Sequence, residues 1–322
     1  MKQIVILSGK GGTGKTFVSA SLACIAEESV IADCDVDAAN LHLLLHPERT
    51  GTYEFSGGKI AQVNTDRCTG CGLCVDSCRF DALSITANGQ AGRPGDAEDT
   101  GPVKNAGYEE KAGSPGDAGK IAAVDPVACE GCGVCGLVCP EEAFSFRTSD
   151  AGRWYTAETR FGPMVHAHLF AGEENSGKLV QEVRTKARSL GEEQGREYVL
   201  IDGPPGTGCA VMSAMTGVDL IVLTTEPTVA GIHDAKRVVQ LAGHFSIPVG
   251  MIVNKSTINA EKTAELKEFA AAQNIRYFGE IPYDKRVVDS VADLQPYVCM
   301  HEDEITQRLR TIWTGITELV TS

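Results

Sequence analysis

Basic charge is in short supply in this chain. Only 29 Lys and Arg stand against 43 Asp and Glu, a formal net charge of −14 over 322 residues. Non-specific DNA binding depends on Lys and Arg neutralising phosphates, so an acidic chain is a poor candidate for it. Aromatics are scarce as well, at 6%, which weakens any base-stacking role. No apolar run reaches the roughly 18 residues of a membrane-crossing helix. The opening MKQIVILSGKGG meets glycines too early for a secretory leader. A cytoplasmic protein with neither a nucleic-acid nor a membrane partner is the expectation.

Other features are abundant. Hydrophobic content is 43%, enough for a core and against global disorder. The length suits one large or two modest domains. Twelve cysteines are present. A reducing compartment disfavours a disulfide framework. Eight of the twelve lie in two tight clusters, which favours metal or cluster ligation.

Residues 3–7 read as a buried strand. A glycine run follows at 9–14, then an apolar-periodic helix from Thr16 to Glu27 and a strand ending near Asp35. A strand, a loop, a helix and a second strand joined by short connections are the signature of a parallel α/β sheet. The pattern resumes after about residue 150. Strands are predicted at 197–202, 218–224, 248–253 and 275–280, with helices at 231–243 and 260–272. A terminal helix over 302–320 carries Ile305, Leu309, Ile312, Ile316 and Leu319 on one stripe. The fold class is therefore α/β: a mostly parallel sheet with helices on both faces. It is divided as 1–59 and 149–322 around an insert at 60–148.

Gly9-Lys10-Gly11-Gly12-Thr13-Gly14-Lys15-Thr16 fits G-x-x-x-x-G-K-[ST]. It follows a predicted strand and opens a predicted helix, the context of a phosphate-binding loop. Glycines let backbone N–H groups wrap the phosphates, and the helix N-terminus adds positive potential. Lys15 is expected to reach the β- and γ-phosphates, and the Thr16 hydroxyl to ligate Mg²⁺. ATP and Mg²⁺ are thus the expected ligands. Asp202 closes a hydrophobic strand, the position of a carboxylate that supports Mg²⁺, and GPPGTG after it reads as a phosphate-sensing switch. Of Asp33, Asp35 and Asp37, one is expected to orient water or contact Mg²⁺, while others start a turn or cap a helix.

The insert is an internal repeat. CTGCGLCVDSCRFDALSI at 68–85 aligns without gaps on CEGCGVCGLVCPEEAFSF at 129–146. Between the copies, 88–120 is rich in Gly, Pro, Asp and Glu and reads as a flexible surface loop. Cys68, Cys71, Cys74 and Cys78 repeat the spacing of Cys129, Cys132, Cys135 and Cys139, which is that of bacterial ferredoxins holding [4Fe–4S] clusters. In two-cluster ferredoxins the fourth cysteine of each run serves the other cluster. That assigns Cys68, Cys71, Cys74 and Cys139 to one cluster, and Cys129, Cys132, Cys135 and Cys78 to the second. Zinc is the alternative, but its sites use paired C-x2-C rather than four cysteines in a row. Arg79 stands where ferredoxins usually carry proline, which removes no ligand.

The stretch KGGTGKT resembles the deviant Walker motif of the superfamily of MinD, ParA, Mrp and the nitrogenase iron protein. The resemblance spans about 1–60 and 150–300. It implies a homodimer closed through the nucleotide face, with Lys10 touching the partner's nucleotide. It further implies a catalytic Asp35 followed by Asn40, a second switch at Asp202-Gly203-Pro204-Pro205-Gly206, and an adenine contact from Asn254 near Ile281-Pro282. IDGPPGTGC at 201–209 and GEENSGKLV at 172–180 resemble the cobyrinic-acid-synthase-like nucleotide-binding family, some members of which carry an inserted ferredoxin domain.

Several residues stay outside these motifs. Cys209 lies seven residues after Asp202. It reads as a small buried cysteine beside the switch or, as in the nitrogenase iron protein, as a ligand of a cluster shared across a dimer. Cys24 and Cys34 fall in a predicted helix and strand and read as core, and Cys299 carries no motif. His166 and His168 flank a short apolar segment and suit a strand face or a partner contact better than a metal site. The function expected is a Mg-ATP-dependent ATPase coupling nucleotide state to electron transfer toward an unknown redox protein. An iron–sulfur carrier serving an acceptor is the alternative. A MinD- or ParA-type positioning role is disfavoured by the acidic terminal segment and the net charge.

Overall fold

The computed structural model describes residues 1–87, 119–171, 173 and 176–321. The loop expected at 88–120 lies outside the described residues except for its last two positions, as do Gly172, Glu174 and Asn175. The chain divides into two compact units, Met1–Phe55 with Gly152–Ser322, and Ser56–Ala151. The second unit reaches a few residues beyond the 60–148 span at each end.

Elements are numbered in chain order among the described residues. The first unit begins with β1 (Lys2–Ser8), α1 (Lys15–Ile25), β2 (Ser29–Asp33), α2 (Leu41–Leu45) and β3 (Glu48–Phe55). The second unit holds β4 (Lys59–Val63), α3 (Leu73–Asp76), β5 (Leu83–Thr86), β6 (Ile121–Val124), α4 (Val134–Val138) and β7 (Phe144–Thr148). The first unit resumes with β8 (Gly152–Thr159), β9 (Gly162–Leu169), α5 (Ser176–Gln194), β10 (Tyr198–Pro205) and α6 (Cys209–Met215). It continues through β11 (Leu220–Thr225), α7 (Val229–His244), β12 (Val249–Asn254), α8 (Ala260–Ala272) and β13 (Arg276–Ile281). It ends with α9 (Lys285–Ala292), α10 (Tyr297–Met300) and α11 (Glu304–Thr321).

The first unit is built on one nine-stranded sheet of order β13-β12-β11-β1-β10-β2-β9-β8-β3. It is parallel from β13 to β9; β8 then pairs antiparallel with both β9 and β3. The central strands read as continuous apolar runs because both faces are covered. One face presents Ile4, Ile6, Ile31, Leu200, Val222 and Ile252 to α1 and α11, where Leu22, Leu309, Ile312 and Ile316 complete the core. On the other face Val30 meets α5 near Gly191. The terminal helix buries Ile305, Leu309, Ile312 and Ile316 as its periodicity predicts, with Val320 as its last fully packed position and Leu319 only partly buried.

The antiparallel extension β3-β8-β9 was not among the predicted strands. β3 is polar and exposed along most of its length, β8 mixes charged and aromatic residues with small ones, and the buried β9 has only the short apolar stretch Met164-Val165 before its histidines, so no long apolar run marks the extension. Its pairing is set by tertiary contacts: Tyr53 stacks on Trp154 at 4.0 Å between centroids, and Phe55 closes opposite Gly152.

The second unit carries the repeat as a pseudo-two-fold object. Residue n of the first copy corresponds to n + 61 of the second, as Cys68 does to Cys129. The copies exchange strands, β4 pairing with β7 and β5 with β6. Left-handed backbone positions repeat with the sequence: Gly70 and Gly131 have φ of +67° and +61°, Gly72 and Gly133 +83° and +85°, and Asp81 and Glu142 +51° and +46°. At Gly131 a Cβ would also run into the Lys59 carbonyl. Gly131→Ala therefore combines left-handed strain with a backbone clash. It should destabilise this unit by about 1–2 kcal/mol, seen as lost amide-exchange protection across β4 and β7.

Candidate functional site

Five adjacent parallel strands end on one edge of the sheet, and each delivers one part of a site. In spatial order they are β12 with Asn254, β11 with Glu226, β1 with the glycine loop, β10 with Asp202, and β2 with Asp33 and Asp35. Ligand sites of open α/β sheets lie at this carboxyl edge. The loop from Gly9 to Gly14 joins β1 to α1 in place of a conventional side-chain cap. Gly12 and Gly14 sit at φ +79° and +90°, a region cheap only for glycine. A Cβ on Gly9 would meet Asp234, and one on Gly14 would meet the Asn254 amide.

Lys15 is buried at the first position of α1, and its ammonium is 2.7 Å from Asp202 Oδ1 and 3.4 Å from Asp35 Oδ2. Burial works to lower its pKa, but Asp202, Asp35 and Asp33 outweigh that and leave it raised. Ser19 Oγ, one turn along α1, donates to the same Asp202 oxygen at 2.7 Å. Asp202 Oδ2 and Thr13 Oγ1 are buried without a partner. Burial raises Asp202, against the pull of Lys15. Burial likewise raises Asp35 to about 6, opposed by Lys15 and reinforced by Asp202 and Asp33. Three carboxylates around one ammonium leave the pocket with surplus negative charge, and it holds an unused carboxylate oxygen. Such a donor set suits a hard divalent cation. Thr16 is half-buried at the next position of α1.

The three aspartates of the 33–37 segment separate. Asp33 accepts the backbone N–H of Asp35 at 3.3 Å and of Leu41 at 3.2 Å, organising the loop into α2. Asp35 reaches Lys15. Asp37 and Asn40 are exposed. The Asn254 amide donates to the Thr13 carbonyl at 2.8 Å, so it braces the loop from beneath.

Glu226, one residue past β11, was missed by sequence reasoning. Its two oxygens take Lys10 at 2.7 Å and Lys255 at 3.0 Å, and Lys255 also donates to the Gly12 carbonyl at 2.8 Å. Burial works against its ionisation, but hydrogen bonds from Lys10 and Lys255 prevail and hold it below the usual range. A carboxylate directly beyond an apolar strand, like Asp202, was the available signal.

Of the other residues left outside the motifs, Cys34 is fully buried, whereas Cys24 is only half-buried and Cys209 is exposed at the start of α6. His166 on β9 is buried between His42 and Tyr155, with centroids at 4.9 and 4.8 Å. Burial, then His42, lowers its pKa to about 4. His168 is exposed.

In the second unit the cysteines ring two hollows. Cys129, Cys132, Cys135 and Cys78 line one, walled by Ala61, Phe80, Leu83 and Phe146. Cys68, Cys71, Cys74 and Cys139 line another, walled by Ile85, Ala122 and Phe144. Backbone N–H groups aim at sulfur: Ala61 at Cys129, 3.5 Å; Ala122 at Cys68, 3.4 Å; Ala143 at Cys139, 3.4 Å. Among the described residues no three His, Cys, Asp or Glu side chains converge on a single metal-ion position. The sulfurs surround a volume instead.

The CobQ/CobB/MinD/ParA nucleotide-binding-domain model matches residues 4–297. The chain belongs to that family. It is thus a MinD/ParA-type nucleotide-binding ATPase domain. An uncharacterised protein of Methanocaldococcus jannaschii is 29% identical over 325 residues, covering 99% of this chain and 97% of the relative. An iron–sulfur cluster carrier protein of Aquifex aeolicus is 27% identical over 139 residues, 39% of this chain and 38% of that protein. The septum site-determining protein MinD of Pyrococcus horikoshii, solved with Mg-ADP, shares the fold at a TM-score of 0.56. Its identity is 17%, over 99% of this chain and 96% of that one.

Two outcomes test this electrostatic arrangement. Asp35 has a folded pKa near 6 against an ordinary 3.8. Below pH 4 it is neutral in both states. Between 4 and 6 only the unfolded carboxyl ionises. Above 6 the folded protein bears the full cost of the buried charge. The Tm of Asp35→Asn relative to wild type should therefore rise as pH goes from 4 to 7, measured without nucleotide. Glu226→Gln removes an anion beside the loop and frees Lys10. Calorimetry should show Mg-nucleotide binding tightened roughly 3- to 10-fold, the scale of one screened charge interaction of about 1 kcal/mol.

Proposed function

We propose that this family member is a homodimeric Mg-ATPase whose nucleotide state governs electron passage through two [4Fe–4S] clusters held by its second unit, an inserted ferredoxin-like domain. The observation that supports the reading most is the composition of the two hollows. Each joins three cysteines of one run to the fourth cysteine of the other, the crossed arrangement of two-cluster ferredoxins. Burial raises the Cys74 and Cys135 thiols; the positive charge of cluster iron would offset the cost of their thiolates in an apolar surround, and four sulfurs per hollow is the donor number of such a cluster. When bound, the clusters would supply reversible one-electron chemistry. The residues around them would contribute N–H···S hydrogen bonds and apolar walls, which tune potential and exclude water.

In the nucleotide site, Lys15 would leave its carboxylates for the β- and γ-phosphates, and Thr16 with Asp202 would hold Mg²⁺. Asp35 would orient water, Asn254 would face the base side, and Lys10 would leave Glu226 for the partner's nucleotide. A chain path toward the insert exists within the first unit. The loop bearing Asp35 is tied by Asp33 to the start of α2, and α2 leads directly into β3, whose last residue Phe55 precedes the insert. A segment ordered by γ-phosphate contacts transmits nucleotide state in this way.

The partial match to an iron–sulfur cluster carrier favours one alternative, in which the clusters are cargo for an acceptor. One experiment separates the readings: an EPR-monitored redox titration of anaerobically reconstituted protein with Mg-ADP and with a non-hydrolysable ATP analogue. Coupling predicts a shift of tens of millivolts between the two states, about 60 mV being tenfold for one electron. Lys15→Ala should abolish the shift while keeping its iron. Identical curves, with rapid cluster loss to an apo-acceptor, would replace the electron-transfer reading with the carrier one.

A further inference from the structure

The first unit holds a second kind of sulfur chemistry, away from the eight ring cysteines. Cys24, near the C-terminal end of α1, and Cys299, on α10, are 275 positions apart in sequence, yet their Sγ atoms lie 3.6 Å apart. Core packing holds them there. Phe17 and Cys24 are seven residues apart, two helical turns, and so lie on one face of α1. That face meets α10, where the buried Tyr297 ring stands edge-on to Phe17 at 6.0 Å and 86°. The Tyr297 hydroxyl is tied to Asp303 at 2.7 Å, and Asp303 accepts the first N–H groups of α11. The contact between the two thiols is therefore anchored on both sides.

The two thiols are unequal in a useful way. Cys299 is exposed and Cys24 half-buried. Burial, then Cys299, raises the Cys24 thiol, while the nearby Arg160 charge favours its thiolate. One thiol is open to a soluble reagent; the other is the less exposed and lies against it.

We propose that Cys24 and Cys299 form a reversible disulfide by exchange with a low-molecular-weight disulfide, stapling the phosphate-loop helix α1 to α10. The Cys299 thiolate attacks one sulfur of the reagent, giving a mixed disulfide at Cys299 and releasing one small thiol. Cys24 then loses its proton and attacks the Cys299 sulfur, closing the protein disulfide and releasing the second small thiol. Two protein thiols are oxidised and one reagent disulfide is reduced to two thiols. The staple falls on the helix whose first residues are Lys15 and Thr16 and whose Ser19 holds Asp202, so oxidation is recorded on the element that carries the phosphate site.

The test treats anaerobically prepared full-length protein with glutathione disulfide, traps remaining thiols by alkylation, and maps unreduced peptides by mass spectrometry. Wild type should give a 24–299 cross-linked peptide that dithiothreitol removes, with a Tm increase of about 5 °C or more for so long a closed loop. Cys24→Ser and Cys24→Ala should stop at a glutathione adduct on Cys299. Cys299→Ser should leave Cys24 unmodified. A wild-type protein that accumulates the Cys299 adduct without the cross-link, or one that links Cys299 to another cysteine, would overturn the proposal. So would the same Tm increase in the Cys24 variants.

Discussion

A buried ammonium between carboxylates organises this protein. Lys15 sits at the start of α1 with Asp202 and Asp35 on its charge and Asp33 behind them. Removed from water, that charge needs partners, and the partners come from two other strands, β10 and β2. The register of three central strands is thus tied to one side chain: Asp202 lies opposite Ile6 on one side and Asp33 on the other. The same arrangement leaves a carboxylate oxygen unused and surplus negative charge, which makes the resting pocket ready for a cation and reluctant toward bare phosphate.

A second charge balance sits a few residues away. Glu226 satisfies Lys10 and Lys255 together, and Lys255 braces the loop through the Gly12 carbonyl. Both loop lysines are therefore held by carboxylates of the same chain. Any anionic ligand entering the loop competes with those carboxylates for the same ammonium groups.

The second unit obeys a different constraint. Each copy of the repeat is too short to enclose a core, so the copies exchange strands and share a cluster of Ala61, Leu83, Ala122, Cys74 and Cys135. Exchange also brings the fourth cysteine of each run to the opposite copy's hollow. Strand exchange and the grouping of the cysteines have one cause there. Glycines at Gly70 and Gly131 are needed because the cysteine loops press against the carbonyls of Lys120 and Lys59.

Much of this was legible in the residues alone. The glycine loop, the apolar strands beside it, the periodic terminal helix and the repeated cysteine spacing are local signals, because each depends on neighbours a few residues away in sequence. They pointed to the family and the parallel sheet. Tertiary structure decided the rest. Only one of three closely spaced aspartates reaches Lys15, a choice set by how the loop after β2 turns. Glu226 became part of the site through lysines 216 and 29 positions away, which no window of sequence connects. The edge pair β3-β8 was invisible because it is held by cross-strand stacking such as Tyr53 on Trp154 rather than by an apolar pattern, and the apolar stretch of the buried β9 is too short to mark a strand without its neighbour β2. Cys24 and Cys299, neither in a motif, were brought together by the packing of Tyr297 on Phe17: chemistry between residues distant in sequence exists only once a core has closed around them.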